Sequence, residues 1–223
     1  MSDVNEKHGA QEQIEQFIQK NRKFIAAFAG LVVIVIAGFI AAFAIRDNLR
    51  NRSFSAVEEL SRRYETLRFD ITSEEKKDEV DTLLSDVKEF AGKASGYAYA
   101  QAWNIAANIH ADRKEWPDAQ SSWINAAKAA AKTYLAPAAW YNAAVAAEEQ
   151  NNIDEAIQFY NESLTLSDHF PAAARAQFSI GRLQEGRNEK TAALESYRSL
   201  VSKWPQDPVW TNLARSRIVV LEK

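Results

Sequence analysis

The chain contains no cysteine. That removes disulfide frameworks, cysteine-ligated zinc, thiol nucleophiles and a lipid-modified cysteine anchor. It leaves the redox compartment open, because a cysteine-free protein is at home in either. Glycine and proline are scarce, seven and five in 223 residues. Sheets and long loops need more turn residues than this, whereas helices joined by tight turns do not. A strong charge of one sign is missing as well. The formal net charge is −3, and from Ser53 to Lys223 20 Lys and Arg stand against 25 Asp and Glu. Such a balance gives no field for a polyanion, so no nucleic-acid partner is expected.

What the chain does have is one long apolar run. Phe24 to Ile45, FIAAFAGLVVIVIAGFIAAFAI, is 22 residues without a charged or strongly polar side chain. As a helix it reaches about 33 Å, enough for a hydrocarbon core of roughly 30 Å. A transmembrane helix is therefore expected over residues 24–45, behind a flank of residues 1–23. A cleaved signal peptide is the competing reading, since Ala42-Phe43-Ala44 resembles a small-x-small cleavage site. The run is longer than the ~7–15 residue core of such a peptide, and its leader carries Glu12 and Glu15. Gly38 and Ala42, four apart, could let two such helices approach closely. Ile14, Phe17 and Ile18 share one helical face, which suits either a short interfacial amphipathic helix or simple continuation of the anchor. Lys7, Lys20, Arg22 and Lys23 precede the run, and Arg46, Arg50, Arg52, Arg62 and Arg63 follow it. Four against five gives the positive-inside rule nothing to act on.

Beyond the run the sequence becomes periodic. Ala119, Ala156 and Ala193 are 37 apart, as are Trp123, Tyr160 and Tyr197. The pairs Trp103 and Trp140, and Pro171 and Pro208, keep the same interval. Small residues, aromatics and prolines held at one spacing mark a structural repeat. Within each unit the offsets follow the tetratricopeptide pattern W-x2-L-G-x2-Y, then A-x3-F, then P. Trp103, Ala106, Ala107 and His110 lead to Ala119 and Trp123; Trp140, Ala143, Ala144 and Ala147 lead to Ala156 and Tyr160; Gln177, Ile180, Gly181 and Gln184 lead to Ala193, Tyr197 and Pro205. The period exceeds the usual ~34 residues, and the surplus falls after the second helix's aromatic. Either a longer second helix or a longer turn between repeats is expected.

The fold class read from this is all-α: a single N-terminal transmembrane helix, then a tetratricopeptide-type α-solenoid, a right-handed superhelix of helical hairpins. Three repeats are expected over 96–206, at about 100–136, 137–173 and 174–206. Residues 53–95 read as a divergent hairpin cap, with Phe54, Val57, Leu60, Tyr64, Leu67 and Ile71 on one stripe and Val80, Leu83, Leu84, Val87 and Phe90 on the next. A capping box is expected at Thr72-Ser73-Glu74-Glu75, an N-cap at Asn152, and Pro117 in a first helical turn. Residues 207–223 would close the last apolar face as a capping helix.

The opening QIEQFIQKNRKFIAAFAG, the exit into Ser53-Phe54-Ser55-Ala56, and Gly96-Tyr97-Ala98-Tyr99-Ala100 before the repeats resemble a bacterial family. It is the tetratricopeptide-like inner-membrane family typified by the ancillary subunit of the SecYEG translocon. That resemblance implies a cytoplasmic N-terminus, a periplasmic solenoid, and contact with the translocon or periplasmic chaperones. A scaffold for cell-envelope assembly or division, unrelated to secretion, would share the same residues.

Catalytic constellations are missing. His8, His110 and His169 lie far apart, with no H-x3-H or H-E-x2-H pairing for a metal. No phosphate loop, G-x-G-x-x-G or G-x-S-x-G is present. Glu148-Glu149 reads as a solvated helix end. Neither an enzyme, a cofactor, a metal nor a small-molecule substrate is expected; the expected partners are proteins or peptides, with the membrane engaged through residues 24–45. In solenoids of this kind the first helix of each pair lines the concave side. The resemblance therefore assigns a protein-binding groove to Gln101, Asn104 and Asn108, to Tyr141, Asn142 and Val145, and to Arg175, Phe178 and Arg182. Asn108, Asn142 and Arg175 would suit a clamp on a peptide carboxylate, whereas Asn104 and Ser179 stand where bases would be needed.

Overall fold

The structure, a computed structural model, describes residues 2–131, 133–167 and 169–223, with side chains from Phe17 onward except Ile18. Ile14 and Ile18 of the expected interfacial face thus lie outside the described side chains. The chain divides into two compact units, residues 1–52 and 53–223, and among the described residues its regular structure is entirely helical.

The first unit is helical throughout its described length, within α1 (Ser2–Leu67). Every side chain from Phe24 to Ile45 is exposed, Phe24 at 82% and Phe39 at 79%. A helix that is apolar on all faces and buried against nothing suits hydrocarbon better than water. This helix is long and apolar enough to cross a membrane.

In the second unit the remaining helices follow as antiparallel neighbours. They are α2 (Lys77–Lys93), α3 (Gly96–Asp112), α4 (Trp116–Ala129), α5 (Leu135–Glu149), α6 (Ile153–Leu166), α7 (Ala173–Gly186), α8 (Lys190–Lys203) and α9 (Pro208–Leu221). From α2 to α9 each helix packs on the next, and α7 also touches α9. Val57, Leu60, Tyr64 and Ile71 are buried in one cluster with Val80, Leu83, Val87 and the α3 residues Ile105 and Ile109. Phe54 departs from that stripe: it is 48% exposed and stacks on Tyr97 at 5.7 Å.

The repeat columns are the places where helices touch. Ala107, Ala119, Ala144, Ala156 and Ala193 are fully buried, and Trp123, Tyr160 and Tyr197 fill the space beside them. Gly181 marks the tightest approach. A Cβ there would lie 2.7 Å from Tyr197 Cε1 and 2.9 Å from Cδ1, inside the repulsive wall.

Each hairpin turns through three residues, 113–115, 150–152 and 187–189, of which the middle one is left-handed: Lys114 (φ 60°), Asn151 (φ 57°) and Asn188 (φ 61°). These too are 37 apart. Each closes with the same bond pair. The Glu115, Asn152 and Glu189 amides donate to the carbonyls of His110, Ala147 and Gln184, at 2.8, 2.9 and 2.9 Å. The Lys114, Asn151 and Asn188 amides donate to Ala111, Glu148 and Glu185. This is the Schellman closure, and it satisfies carbonyls the helix end leaves open.

Two capping expectations are corrected. Asn152 stands at the N-cap of α6, yet its side chain makes no capping bond, because the Schellman turn already fixes the backbone there. Ser73 precedes a single 3-10 turn, Glu74–Lys76, also without a side-chain cap, and α2 begins at Lys77. Pro117 does occupy the first turn of α4. The surplus residues of the period sit in the turns between repeats. Residues 130–134 and 167–172 connect them, five and six residues against three within a hairpin, while α4, α6 and α8 are each 14 long.

Candidate protein-binding surface

The first helices α3, α5 and α7 carry the nine groove residues. Helical spacing sets one flank of each against its own second helix and leaves a second flank for other contacts. Arg175 is the most distinctive. Its guanidinium carbon lies 5.8 Å from the Tyr141 ring centroid and 5.9 Å from that of Trp210. The side chain is exposed, and no carboxylate among the described residues pairs with it. Phe178 packs its ring 5.4 Å from both Tyr197 and Trp210. Thus α5, α7 and α9 together build an aromatic bed under the exposed Arg175 guanidinium, a favourable arrangement of charge over ring faces.

Tyr141 is corrected from groove to core. It is 8% exposed, 5.4 Å from Tyr160 and 6.1 Å from Phe170, and its buried hydroxyl has no hydrogen-bond partner among the described residues. Burial pushes its phenol pKa up, against the Arg175 charge. Its ring serves Arg175 from beneath. Val145 likewise packs partly into the main core. Arg182 is exposed but engaged, ion-paired to Glu148 of α5. Gln101, Asn104 and Asn108 on α3 and Asn142 on α5 are half-buried. No hydrogen bond or ring contact among the described residues joins them to the Arg175 cluster.

Glu148 is the second correction. Its side chain is 19% exposed, so it is no solvated helix end. It accepts from the Tyr160 hydroxyl at 2.6 Å and pairs with Arg182. One repeat later Glu185 does the same, accepting from Tyr197 at 3.0 Å and from Arg217 Nε at 3.0 Å. The Arg217 guanidinium holds the Glu185 carboxyl below its ordinary range, outweighing burial. Burial and these carboxylates push the Tyr160 and Tyr197 phenols up. Each glutamate therefore ties a first helix to its own second helix and to the next first helix.

Trp210 is the contact residue that sequence reasoning missed, since α9 was assigned only a closing role; its place two residues after Pro208 held no repeat signal. His110 is 5% exposed, with Nδ1 2.5 Å from Glu115 Oε2. With Asp118 the two bring ligand-type atoms within 4.8 Å of one another. The pair bridges the end of α3 to the start of α4, as a structural histidine does.

Residues 106–169 and 164–208 match the tetratricopeptide repeat family model. Over 227 residues the chain is 29% identical to a TPR repeat-containing protein of Treponema pallidum (strain Nichols), across 94% of this chain and 93% of that one. A crystal structure of a Podosopora anserina putative kinesin light chain with nearly identical TPR-like repeats aligns with a TM-score of 0.50 at 10% identity. It covers 68% of this chain and 77% of its own. A point variant of the same protein gives 0.51. The fold is all-α with tetratricopeptide-like repeats, an architecture typical of non-catalytic interaction modules.

Proposed function

We propose that the protein is a membrane-anchored adaptor whose first-helix surface binds extended segments of other proteins, at the export machinery or with periplasmic chaperones. The observation that carries the reading is Arg175, an exposed guanidinium held over Tyr141 and Trp210 and paired with no carboxylate among the described residues. Arginine and aromatic side chains supply much of the binding energy at protein interfaces. A cation preorganised on rings loses little rotamer freedom when it meets a carboxylate or backbone carbonyl. Asn142, half-buried on α5, adds amide groups suited to a peptide backbone. Placement at the bacterial inner membrane, with a cytoplasmic N-terminus and a periplasmic solenoid, rests on the sequence resemblance.

A photo-crosslinking residue at Arg175 in native membranes should capture protein partners, and Arg175→Glu should abolish co-purification without moving the melting midpoint. Translocon subunits or chaperones among the adducts would support the export reading. Adducts confined to envelope-assembly or division proteins would support the scaffold reading instead. Full recovery of partners by Arg175→Glu would overturn this surface. For topology, protease added to outer-membrane-permeabilised cells should digest residues 53–223; protection there would reverse the assigned orientation.

A further inference from the structure

Helix α9 packs on α8 and α7 as a first helix does, and among the described residues no further helix lies on its other flank. In α5, Tyr141, Ala144 and Glu148 form the flank that receives Tyr160 of α6. In α7, Phe178, Gly181 and Glu185 receive Tyr197 of α8. Directly after the small residue of α7 comes Arg182, which reaches back to Glu148; in α9 Arg217 reaches back to Glu185 in the same way. That correspondence sets Leu213, Ser216 and Val220 of α9 in the places of Phe178, Gly181 and Glu185, with the same steps of three and four. The opposite face of α9, with Thr211 and Ala214, is buried. This exposed flank of α9 is not polar. Val209 is 61%, Leu213 44% and Val220 51% exposed, with Ser216 exposed among them.

We infer that this flank is the contact between two copies of the chain, with α9 packed antiparallel on its counterpart. The pattern is self-complementary, as a two-fold interface requires. Val209, Leu213, Ser216 and Val220 are separated by four, three and four residues, a palindromic spacing. Running antiparallel, Val209 meets Val220 of the second copy, and Leu213 enters the space left by the small Ser216. Steps of four and three are those of an interhelical seam. No charge lies on the stripe, so pairing leaves no buried ion. A helix of 14 residues, about 21 Å long, offers a small interface, below the ~1,000 Å² of stable soluble dimers. Two copies held in one membrane by the apolar helix would meet at a much higher effective concentration.

The absence of cysteine makes the test clean. The full chain carrying both Val209→Cys and Val220→Cys is oxidised in native membrane vesicles and run under non-reducing conditions. A covalent dimer is expected, because the two positions face each other across the pair. Either single variant should give little, since like positions then lie about 16 Å apart along the axis, beyond disulfide reach. Adding Leu213→Glu to the double variant should remove most of the dimer while leaving helicity unchanged. Equal crosslinking by Val209→Cys alone, dimer that survives Leu213→Glu, or an adduct to a different protein would each overturn the inference. So would a folded double variant that stays monomeric.

Discussion

Gly181 shows how one residue can set the spacing of two helices. Alanine is the better helix former by roughly 1 kcal/mol, so Gly181→Ala would be stabilising on an isolated helix. Here its Cβ would meet three atoms of the fully buried Tyr197 ring within 3.0 Å. Overpacking typically costs about 1–3 kcal/mol and should win; a lower urea midpoint at unchanged slope would show it. Ala156→Leu should cost a similar ~1–3 kcal/mol, because Ala156 is fully buried in the main core. Glu185 carries a pH signature. Its folded pKa is depressed by Arg217, so its contribution is complete above the unfolded value of about 4.3 and fades as pH falls through the folded value. The melting difference between the parent chain and Glu185→Gln should therefore be constant above about pH 5 and shrink on further acidification. A pH-independent difference would remove the carboxylate from that role.

At the scale of elements, the hairpins are defined as much by their turns as by their helices. Lys114 adopts a left-handed conformation that costs an ordinary residue about 1–2 kcal/mol. Glycine avoids that cost but loses roughly 0.5–1 kcal/mol of chain entropy. Lys114→Gly should accordingly raise stability by about 0.5–1 kcal/mol, read as a higher melting midpoint. Asn151→Gly and Asn188→Gly should gain less, since asparagine tolerates this region. Residue identity hid these turns. Lysine and asparagine share no chemistry that would mark a common position, and only the bond pairs of the backbone make them one. The alanine and aromatic columns were legible because side-chain size is what those contacts select.

At the scale of the whole molecule, the two units differ in surface: the first carries a helix long and apolar enough to cross a membrane, and the second buries its apolar side chains in its own clusters. Among the described residues, none before Val57 belongs to a buried cluster, so residues 53–223 alone should be soluble, helical and cooperatively melting, as circular dichroism would report. Aggregation of that fragment would place part of its core in the preceding residues. Sequence alone determined what depends on local pattern: the apolar run, the 37-residue period, the helical class and the small positions at helix crossings. Each is a statement about which side chains a periodic backbone presents, and periodicity is written residue by residue. Tertiary structure decided the rest. It buried Tyr141 and moved it from binding surface to core, and it engaged Glu148 and Arg182 with each other. It also brought Trp210 under Arg175 from a helix 35 residues away. These outcomes depend on which flank of one helix meets the next. That is set by the crossing of neighbouring helices, a relation between distant segments that no single segment encodes.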